Sequence, residues 1–114
     1  MSDCIFCKII NGEIPSSKIY EDDKVLAFKD INPEAPIHYL VIPKQHIQSI
    51  LELNSSNISI TIDIFEAINK IAKQLEIDKE GFRVVTNVGV NGGQAVSHLH
   101  YHILGGRNLK WPPG

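Results

Sequence analysis

The 114-residue chain lacks an excess of basic charge, has only two cysteines and contains no long apolar run. Its 11 Lys and Arg against 13 Asp and Glu give a formal net charge of −2 at pH 7, which argues against bulk binding to DNA or RNA. No stretch approaches the roughly 18 apolar residues of a membrane span. The start, MSDCIFCKII, has no basic segment before its short apolar stretch, so we expect no signal peptide. These absences predict a cytoplasmic protein with no nucleic-acid and no membrane partner.

The composition is typical of one globular domain. Hydrophobic residues make up 43% of the chain and charged residues 21%, unlike a disordered sequence. A chain of this length can bury roughly 65% of its unfolded surface, enough for one core. No repeat or linker divides the sequence, so we expect a single domain over residues 1–114.

The order of apolar segments predicts an α+β fold. Residues 5–10 predict a short N-terminal helix that Asn11-Gly12 ends. The stretch 58–75 alternates like a strand at its start and then takes helical spacing, and we interpret it as one long helix. A further short helix is predicted over residues 46–53. Strands are predicted over residues 19–20, 25–28, 39–42, 82–86 and 99–104. Five strands around one long helix favour an antiparallel sheet.

Three histidines alternate with apolar residues in the run HLHYH near the end of the chain. In a strand, residues two apart point to the same face, so His98, His100 and His102 would line one face while Leu99 and Tyr101 pack behind. Packing alone does not account for three neighbouring imidazoles. Two uses fit: zinc ligation, or phosphate chemistry in which a neutral imidazole attacks phosphorus beside a stabilising imidazolium.

A glycine-rich segment just upstream of the histidines favours the phosphate interpretation. In Gly92-Gly93-Gln94, backbone amides can approach an anion closely because glycine adds no side chain. Imidazole titrates near neutrality, so both the attacking and the stabilising forms are available at pH 7.

The two cysteines, Cys4 and Cys7, are too close in sequence to staple a fold, and we expect reduced thiols. Their spacing fits half of a tetrahedral metal site, a redox pair, or two incidental thiols. A redox pair usually sits beside a strand-helix unit deep in its domain, whereas this pair lies at the start of the chain.

Three separated segments occur in the order and at the spacing of a known family. They are CIFCKIINGEIPSSKIYEDD, LAFKDINPEAPIHYLVIPKQHI and GGQAVSHLHYHILGGRNLKWPPG. With them the sequence resembles the histidine triad (HIT) nucleotide-binding proteins of the Hint branch over nearly its whole length. The resemblance implies a HIT-like α+β fold with a five-stranded antiparallel sheet and one long helix, in a homodimer whose two sheets join.

The resemblance also implies an activity. Members of this branch hydrolyse purine nucleoside phosphoramidates to a nucleoside monophosphate and an amine, through a nucleotidyl-histidine intermediate and without a cofactor in the chemistry. By position, His100 would be the nucleophile, with its other ring nitrogen donating to a backbone carbonyl. His102 would hydrogen-bond the α-phosphate, and His38 of the AP-x-H segment would support the same site.

Further positions carry over to nucleotide binding. Asp30 matches the acidic residue that binds the ribose hydroxyls, and Ile31 lies beside it. The apolar clamp around the base corresponds to Ile5, Phe6, Ile9 and Phe28. Contacts to the phosphate correspond to Asn87, Gly93 and Val96.

One residue departs from the family pattern: the family often has GGQS where this chain has GGQA. Ala95 therefore lacks the hydroxyl linked to phosphate or leaving-group contacts, and Ser97 is expected to point away from the histidine face. We expect activity to persist with an altered rate or leaving-group preference, because backbone amides can still hold the phosphate.

The resemblance implies a zinc site as well. Some bacterial-type relatives hold zinc with two cysteines and two histidines, and this chain keeps all four positions, Cys4, Cys7, His46 and His98. Four protein ligands leave no open position for water, so this zinc would be structural and would pin the N-terminus against the last strand.

Two other function classes stay open from the sequence. One is a nucleotide-binding regulatory module whose turnover is incidental. The other is a catalytic zinc hydrolase in which His98, His100 and His102 all ligate the metal. Trp111, in the terminal WPPG, either packs the tail or lies near the partner subunit's site and tunes the choice of leaving group.

Overall fold

The computed structural model describes residues 3–114, and within that range five strands form one antiparallel sheet. The strands are β1 (Lys18–Glu21), β2 (Val25–Lys29), β3 (Ile37–Pro43), β4 (Phe82–Val85) and β5 (Tyr101–Gly105). Their spatial order is β1-β2-β3-β5-β4 with every neighbouring pair antiparallel, so β3 is central and β4 is an edge. The helices are α1 (Ile5–Ile10), α2 (Ile60–Gln74) and the short α3 (Gly89–Gly92). The predicted α+β class, antiparallel sheet and long helix are confirmed.

The long helix α2 covers one face of the sheet. Its buried positions, among them Ile60, Ile64, Ile68 and Ile71, recur at helical spacing, and this stripe outweighs the strand-like alternation at the start of the segment. The stripe packs against inward-facing residues of the strands in one apolar cluster. Ser59 makes no side-chain capping bond, which agrees with the unusual helix start seen in the sequence.

The opposite face of the sheet is covered by α1. Phe6 and Ile9 of this helix pack on Leu26 and Phe28 of β2 in a second apolar cluster. Since successive strand residues point to opposite faces, the intervening residues of β2 belong to the α2 cluster. Both faces of β2 are therefore buried, which explains its continuous apolar sequence.

Two local predictions were wrong. Residues 46–53 form only a 3₁₀ turn, Ile50–Glu52, because Ser49 before it is extended and the carbonyl of Ile47 accepts from the N–H of Leu99 at 2.6 Å instead of from a helical neighbour. The last strand begins at Tyr101 rather than at residue 99. Its ladder with β3 ends at the pair of Val41 and Tyr101, two positions before the antiparallel register would bring Leu99 opposite Pro43, which has no N–H to donate.

No helix in residues 3–114 combines the length and hydrophobicity that a membrane crossing requires.

The C-terminal end of α2 holds a non-glycine residue in a left-handed conformation. The N–H of Glu76 donates to the carbonyl of Lys73 and that of Ile77 to the carbonyl of Ala72, the two bonds of a Schellman motif. Glu76 occupies its left-handed position with φ of 59°, where glycine is the favoured residue.

We predict that Glu76→Gly raises the free energy of unfolding by about 0.5–1 kcal/mol, because glycine removes the steric cost of the left-handed conformation. Urea denaturation of both proteins measures the change. Glu76→Ala is the matched control, since it removes the same side chain but keeps the Cβ and should bring no gain. Equal stabilisation by both variants would contradict the backbone explanation.

Candidate active site and metal centre

The His100 imidazole is oriented by backbone contacts. Its Nδ1 lies 2.7 Å from the carbonyl oxygen of His98, and a carbonyl oxygen only accepts hydrogen bonds. The hydrogen-bond network therefore assigns the proton to Nδ1 and leaves a lone pair on Nε2. The hydroxyl of Thr86 donates to the carbonyl of His100 at 2.8 Å. The His100 side chain is only 5% exposed, so its ring presents one nitrogen as a base or nucleophile.

A directed chain of hydrogen bonds leads to His102. The backbone N–H of Glu34 donates to Nδ1 of His38 at 3.0 Å, so the proton of His38 is on Nε2. That nitrogen lies 2.9 Å from Nδ1 of His102 and 3.3 Å from Oδ2 of Asp30. Because its Nδ1 accepts, His102 carries its own proton on Nε2. Each ring is thus held in one tautomer by the donor before it.

The Nε2 atom of His102 is a buried donor that has no hydrogen-bond partner within the described part of the chain. Burial, followed by the neighbouring His100 and His38, lowers the pKa of His102 to about 4. The ring is therefore neutral at pH 7, in contrast to the imidazolium considered from the sequence. Its centroid lies 5.1 Å from that of His100. A buried N–H without a partner costs about 1–3 kcal/mol, and an anion beside His100 would satisfy it.

Phe6 of α1 stands beside the nucleophile. Its ring packs edge-to-face on the His100 ring with centroids 5.2 Å apart. Of the residues predicted to clamp a base, Phe6, Ile9 and Phe28 are each more than nine-tenths buried, whereas Ile5 is exposed. The predicted clamp is thus mostly a buried apolar wall behind His100, with Ile5 as its surface member.

Asp30 follows β2 and turns the chain towards His38. Its Oδ1 accepts from the N–H of Asn32 at 2.9 Å, and its Oδ2 faces His38. Each oxygen keeps a second lone pair for a ligand. Ile31, the next residue, is 90% exposed. The structure therefore joins Asp30 to the histidine group and leaves Ile31 as an apolar surface beside it.

The glycine loop, residues 89–93, lies between β4 and the histidines. It consists of α3 followed by Gly93, whose φ of +77° is left-handed and suits glycine. A Cβ added to Gly92 would lie 3.7 Å from the backbone of Asn87, so the loop folds back over that residue. Val96, just after the loop, packs against the second apolar cluster, which α1 forms with the sheet. The predicted phosphate contacts thus belong to one short segment.

Ala95 and Ser97 line the same open cleft, about 630 Å³ in volume, together with Cys4 and His46. Ser97 was expected to point away from the site because a strand was assumed there. The strand begins only at Tyr101, so the alternation rule does not apply. Ser97 therefore lines the same cleft as Ala95.

Two supporting side chains were not singled out from the sequence. Thr86 holds the backbone of His100, as described above. The carboxamide of Gln94 bonds to three separate backbone groups. A polar residue directly after the apolar strand β4 was the available signal for Thr86. For Gln94 the sequence held no signal beyond its place after two glycines.

Four further donors converge at the start of α1. Cys4 caps this helix, with the N–H of Cys7 donating to its Sγ at 3.4 Å, so both thiols lie at the same helix end. Sγ of Cys4 lies 3.3 Å and Sγ of Cys7 3.7 Å from Nδ1 of His98. Nδ1 of His46 lies 3.4 Å from Sγ of Cys7 and 3.1 Å from Nδ1 of His98. These four atoms lie within 4.8 Å of one another.

The donor set fits a zinc ion. A tetrahedron with usual Zn–N and Zn–S bonds has N···N edges of about 3.3 Å and N···S edges of about 3.6 Å, close to the observed separations. His98 donates from Nε2 to the carbonyl of Pro43 at 2.9 Å, which leaves the Nδ1 lone pair for a metal, and burial lowers the pKa of His98. Burial, then a hydrogen bond with Cys4, raises the pKa of Cys7, so metal binding would have to displace this thiol proton.

A second group of donors, Asp30, His38 and His102, also lies within 4.8 Å, but its protons argue against a metal. Nε2 of His38 can ligate only if its proton moves to Nδ1, and Nδ1 already accepts from the N–H of Glu34. Within residues 3–114, moreover, the triad histidines do not share one group of donors. His98 lies with Cys4, Cys7 and His46, whereas His102 lies with Asp30 and His38. The donor geometry therefore gives no support to a catalytic metal held by the three triad histidines.

Comparison with known proteins shows what the sequence of this chain is similar to. The family model described as "Scavenger mRNA decapping enzyme C-term binding" matches residues 3–110. An uncharacterised HIT-like protein of Synechococcus elongatus is 50% identical over 112 residues, which cover 98% of this chain and 97% of the relative. A protein of Brassica juncea named "14 kDa zinc-binding protein" is 47% identical over 114 residues, covering 98% of this chain and 100% of that protein.

Solved structures agree over the same length. A HIT family hydrolase from Clostridium thermocellum superposes with a TM-score of 0.95 at 54% identity, covering 96% of each chain. A histidine triad nucleotide-binding protein from Candida albicans gives a TM-score of 0.83 at 36% identity, covering 96% of this chain and 83% of that one.

We predict that the protein binds one zinc ion per chain and that a strong chelator lowers its thermal unfolding midpoint, because the metal joins α1 to His46 and His98. Metal analysis and calorimetry measure both effects. The Cys7→Ser variant should contain little zinc, and its midpoint should no longer respond to the chelator. A native protein that loses its metal without any change of midpoint would refute a structural role.

Proposed function

The chain belongs to the histidine triad (HIT) family, and from this premise we propose that it is a Hint-type nucleotide hydrolase. It cleaves purine nucleoside 5′-phosphoramidates, such as adenosine phosphoramidate, to the nucleoside monophosphate and an amine. It acts as a single HIT domain over residues 1–114 in the cytoplasm, where the thiols of Cys4 and Cys7 stay reduced. The observation that carries the proposal is that His100 has a free lone pair on Nε2 while the neighbouring His102 has an N–H without a hydrogen-bond partner in the described part of the chain.

In the first step, Nε2 of His100 attacks the α-phosphorus as the P–N bond to the amine breaks. The amine leaves with the bonding electron pair and takes up a proton from solvent water, and a nucleotidyl-His100 that keeps its Nδ1 proton is formed. Positive charge develops on the imidazole during this attack. The His98 carbonyl, 2.7 Å from Nδ1, stabilises that charge because it already accepts the Nδ1 proton.

Charge on the phosphoryl oxygens is met by His102. Its Nε2–H donates to an oxygen, and His38, whose Nε2–H faces Nδ1 of His102, holds the ring in the required tautomer. In the second step, water attacks the phosphorus and the bond to His100 breaks, which releases the nucleoside monophosphate and restores the free imidazole. The water that attacks in the second step returns a proton to solvent. The backbone of Val96, with Asn87, contacts the phosphate in both steps, and Gly93, whose N–H donates to the carbonyl of Val90, lets the loop backbone approach it without a side chain.

The nucleoside lies against the exposed surface beside these groups. Ile5 and Ile31 are the apolar residues that a base can reach, and Phe6, Ile9 and Phe28 support them from within. Asp30 accepts from the ribose hydroxyls with its remaining lone pairs.

Cys4, Cys7, His46 and His98 would hold the zinc ion, as the name of the Brassica relative also suggests. With four protein ligands the metal supplies cross-linking rather than chemistry. Its effect on the reaction runs through His98, whose backbone carbonyl orients the nucleophile.

The leaving amine lies towards the cleft lined by Ala95 and Ser97. Ala95 offers no hydroxyl to assist its departure, so the Ser97 hydroxyl in the same cleft is the side chain that can substitute. Trp111 is 80% exposed, and Arg83 fixes the tail before it by donating to the carbonyl of Lys110 at 3.0 Å. An exposed, anchored tryptophan suits a contact with the partner subunit's leaving-group pocket.

The chain forms a homodimer through β4 and the outer side of α2. β4 is an edge strand with unpaired backbone groups. Ile62 and Phe65 of α2, with Ile58 just before the helix, form an exposed apolar stripe. The Phe65 ring reaches Tyr101 of β5 with centroids 5.5 Å apart. Phe65 of the stripe therefore lies beside β5, the neighbour of the edge strand β4. Pairing of two copies would cover the stripe and the strand edge together.

We predict that the native protein releases AMP from adenosine 5′-phosphoramidate and that His100→Ala lowers kcat/KM by at least about 1,000-fold, because the nucleophile is lost. Chromatography measures AMP, and intact mass detects a nucleotidyl adduct on the native chain only. Lys79→Ala, an exposed change outside the site, is the control. Absence of release by the native chain, or equal release by His100→Ala, would disprove the mechanism.

We predict that Ile62→Glu converts the dimer to a monomer in analytical ultracentrifugation, because a carboxylate replaces an apolar side chain that is 62% exposed in the single chain. Leu51→Glu introduces the same charge at an exposed apolar position outside α2 and should leave the dimer intact. A native protein that sediments as a monomer would rule out the proposed assembly.

A further inference from the structure

The glycine loop has few constraints of its own. Its backbone bonds are short-range: the N–H of Gly93 bonds to the carbonyls of Gly89 and Val90, and the N–H of Gln94 donates to the carbonyl of Gly89. Val90 at its tip is 96% exposed, and neither Gly89 nor Gly93 has an atom within 4 Å of the place a Cβ would occupy. A segment with so few contacts needs an external anchor to keep a defined shape.

The carboxamide of Gln94 is that anchor. Its Nε2 donates to the carbonyl of Gln48 at 2.7 Å and to the carbonyl of Val96 at 3.0 Å. Its Oε1 accepts from the N–H of Gly89 at 3.1 Å. Both donor hydrogens and one acceptor site are thus used on backbone groups of three different segments. One side chain joins the first residue of the loop to the chain that follows it and to a segment distant in sequence.

The distant segment, residues 46–48, has contacts of its own. The carbonyl of Ile47 accepts from the N–H of Leu99 at 2.6 Å, and His46 is one of the four converging metal donors. The Gln94 side chain therefore connects the glycine loop, which has few contacts, to residues 46–48, which have long-range contacts of their own.

We propose that Gln94 is a positioning residue, which holds the glycine loop in the shape that receives the phosphate of a nucleotide. This inference rests on the proposed function, because it assumes that the loop contacts phosphate. It assigns Gln94 a contribution to binding the phosphate group and none to binding the nucleoside. Loss of the carboxamide should therefore weaken a nucleoside monophosphate and spare the nucleoside.

The test compares AMP with adenosine in isothermal titration of the metal-loaded protein. Gln94→Met keeps the length of the side chain and removes its hydrogen bonds. It should weaken AMP binding by about 10-fold, the effect of losing one or two net hydrogen bonds, and change adenosine binding by less than twofold. Gln74→Met, the same change at the exposed end of α2, should alter neither.

Hydrogen exchange gives an independent readout. The amide of Gly89 should exchange faster in Gln94→Met. In Gln94→Glu, which keeps an acceptor oxygen but loses both donors, that amide should stay protected while AMP binding still weakens.

Equal weakening of AMP and adenosine would overturn the proposal, since it would indicate general disruption, and so would unchanged AMP binding by Gln94→Met. If the native chain itself fails to bind AMP more tightly than adenosine, the proposed function fails and this inference fails with it. If the native chain prefers AMP to adenosine and Gln94→Met keeps that preference unchanged, the inference about Gln94 is wrong while the proposed function stands.

Discussion

The contact on which the site depends is the 2.7 Å hydrogen bond from Nδ1 of His100 to the carbonyl of His98. It sets the tautomer of one histidine through the backbone of another. The His98 side chain, in turn, is fixed by the Pro43 carbonyl and faces the two thiols. In the proposed function, one short segment, residues 98–100, would thus contribute to a cation site through the side chain of His98 and to an anion site through that of His100.

Pro43 lies where that segment leaves the sheet. Without an N–H it cannot extend the ladder between β3 and β5, and its free carbonyl takes the Nε2 proton of His98. Residues 98–100 are then free to follow a path set by side chains rather than by strand pairing. Phe6 closes the arrangement from the other side, since its ring packs edge-to-face on both His98 and His100.

Hydrophobic patterning was sufficient to predict most of the fold. The apolar run of β2 and the helical spacing of α2 are strong because each buries a large surface. The helix expected over residues 46–53 failed because a long-range bond from Leu99 takes the Ile47 carbonyl, and no local pattern encodes such a partner. The sequence also pointed to the histidines and cysteines that the structure brings together. It could not predict that His102 is neutral, because the pKa depends on burial, or that Gln94 bonds three segments, because those partners are backbone atoms.

The chain of donors from Glu34 through His38 to His102 has a consequence for ligand selection. Every N–H in it points the same way, so the dipoles add up to a positive end at Nε2 of His102, although the Asp30 carboxylate lies 3.3 Å from Nε2 of His38 in the same group. Fixed dipoles attract an anion only at short range, whereas a lysine or arginine acts over a Debye length. As the phosphate site that we propose, this arrangement would select its ligand by contact geometry and would not concentrate polyanions around a chain whose net charge is −2.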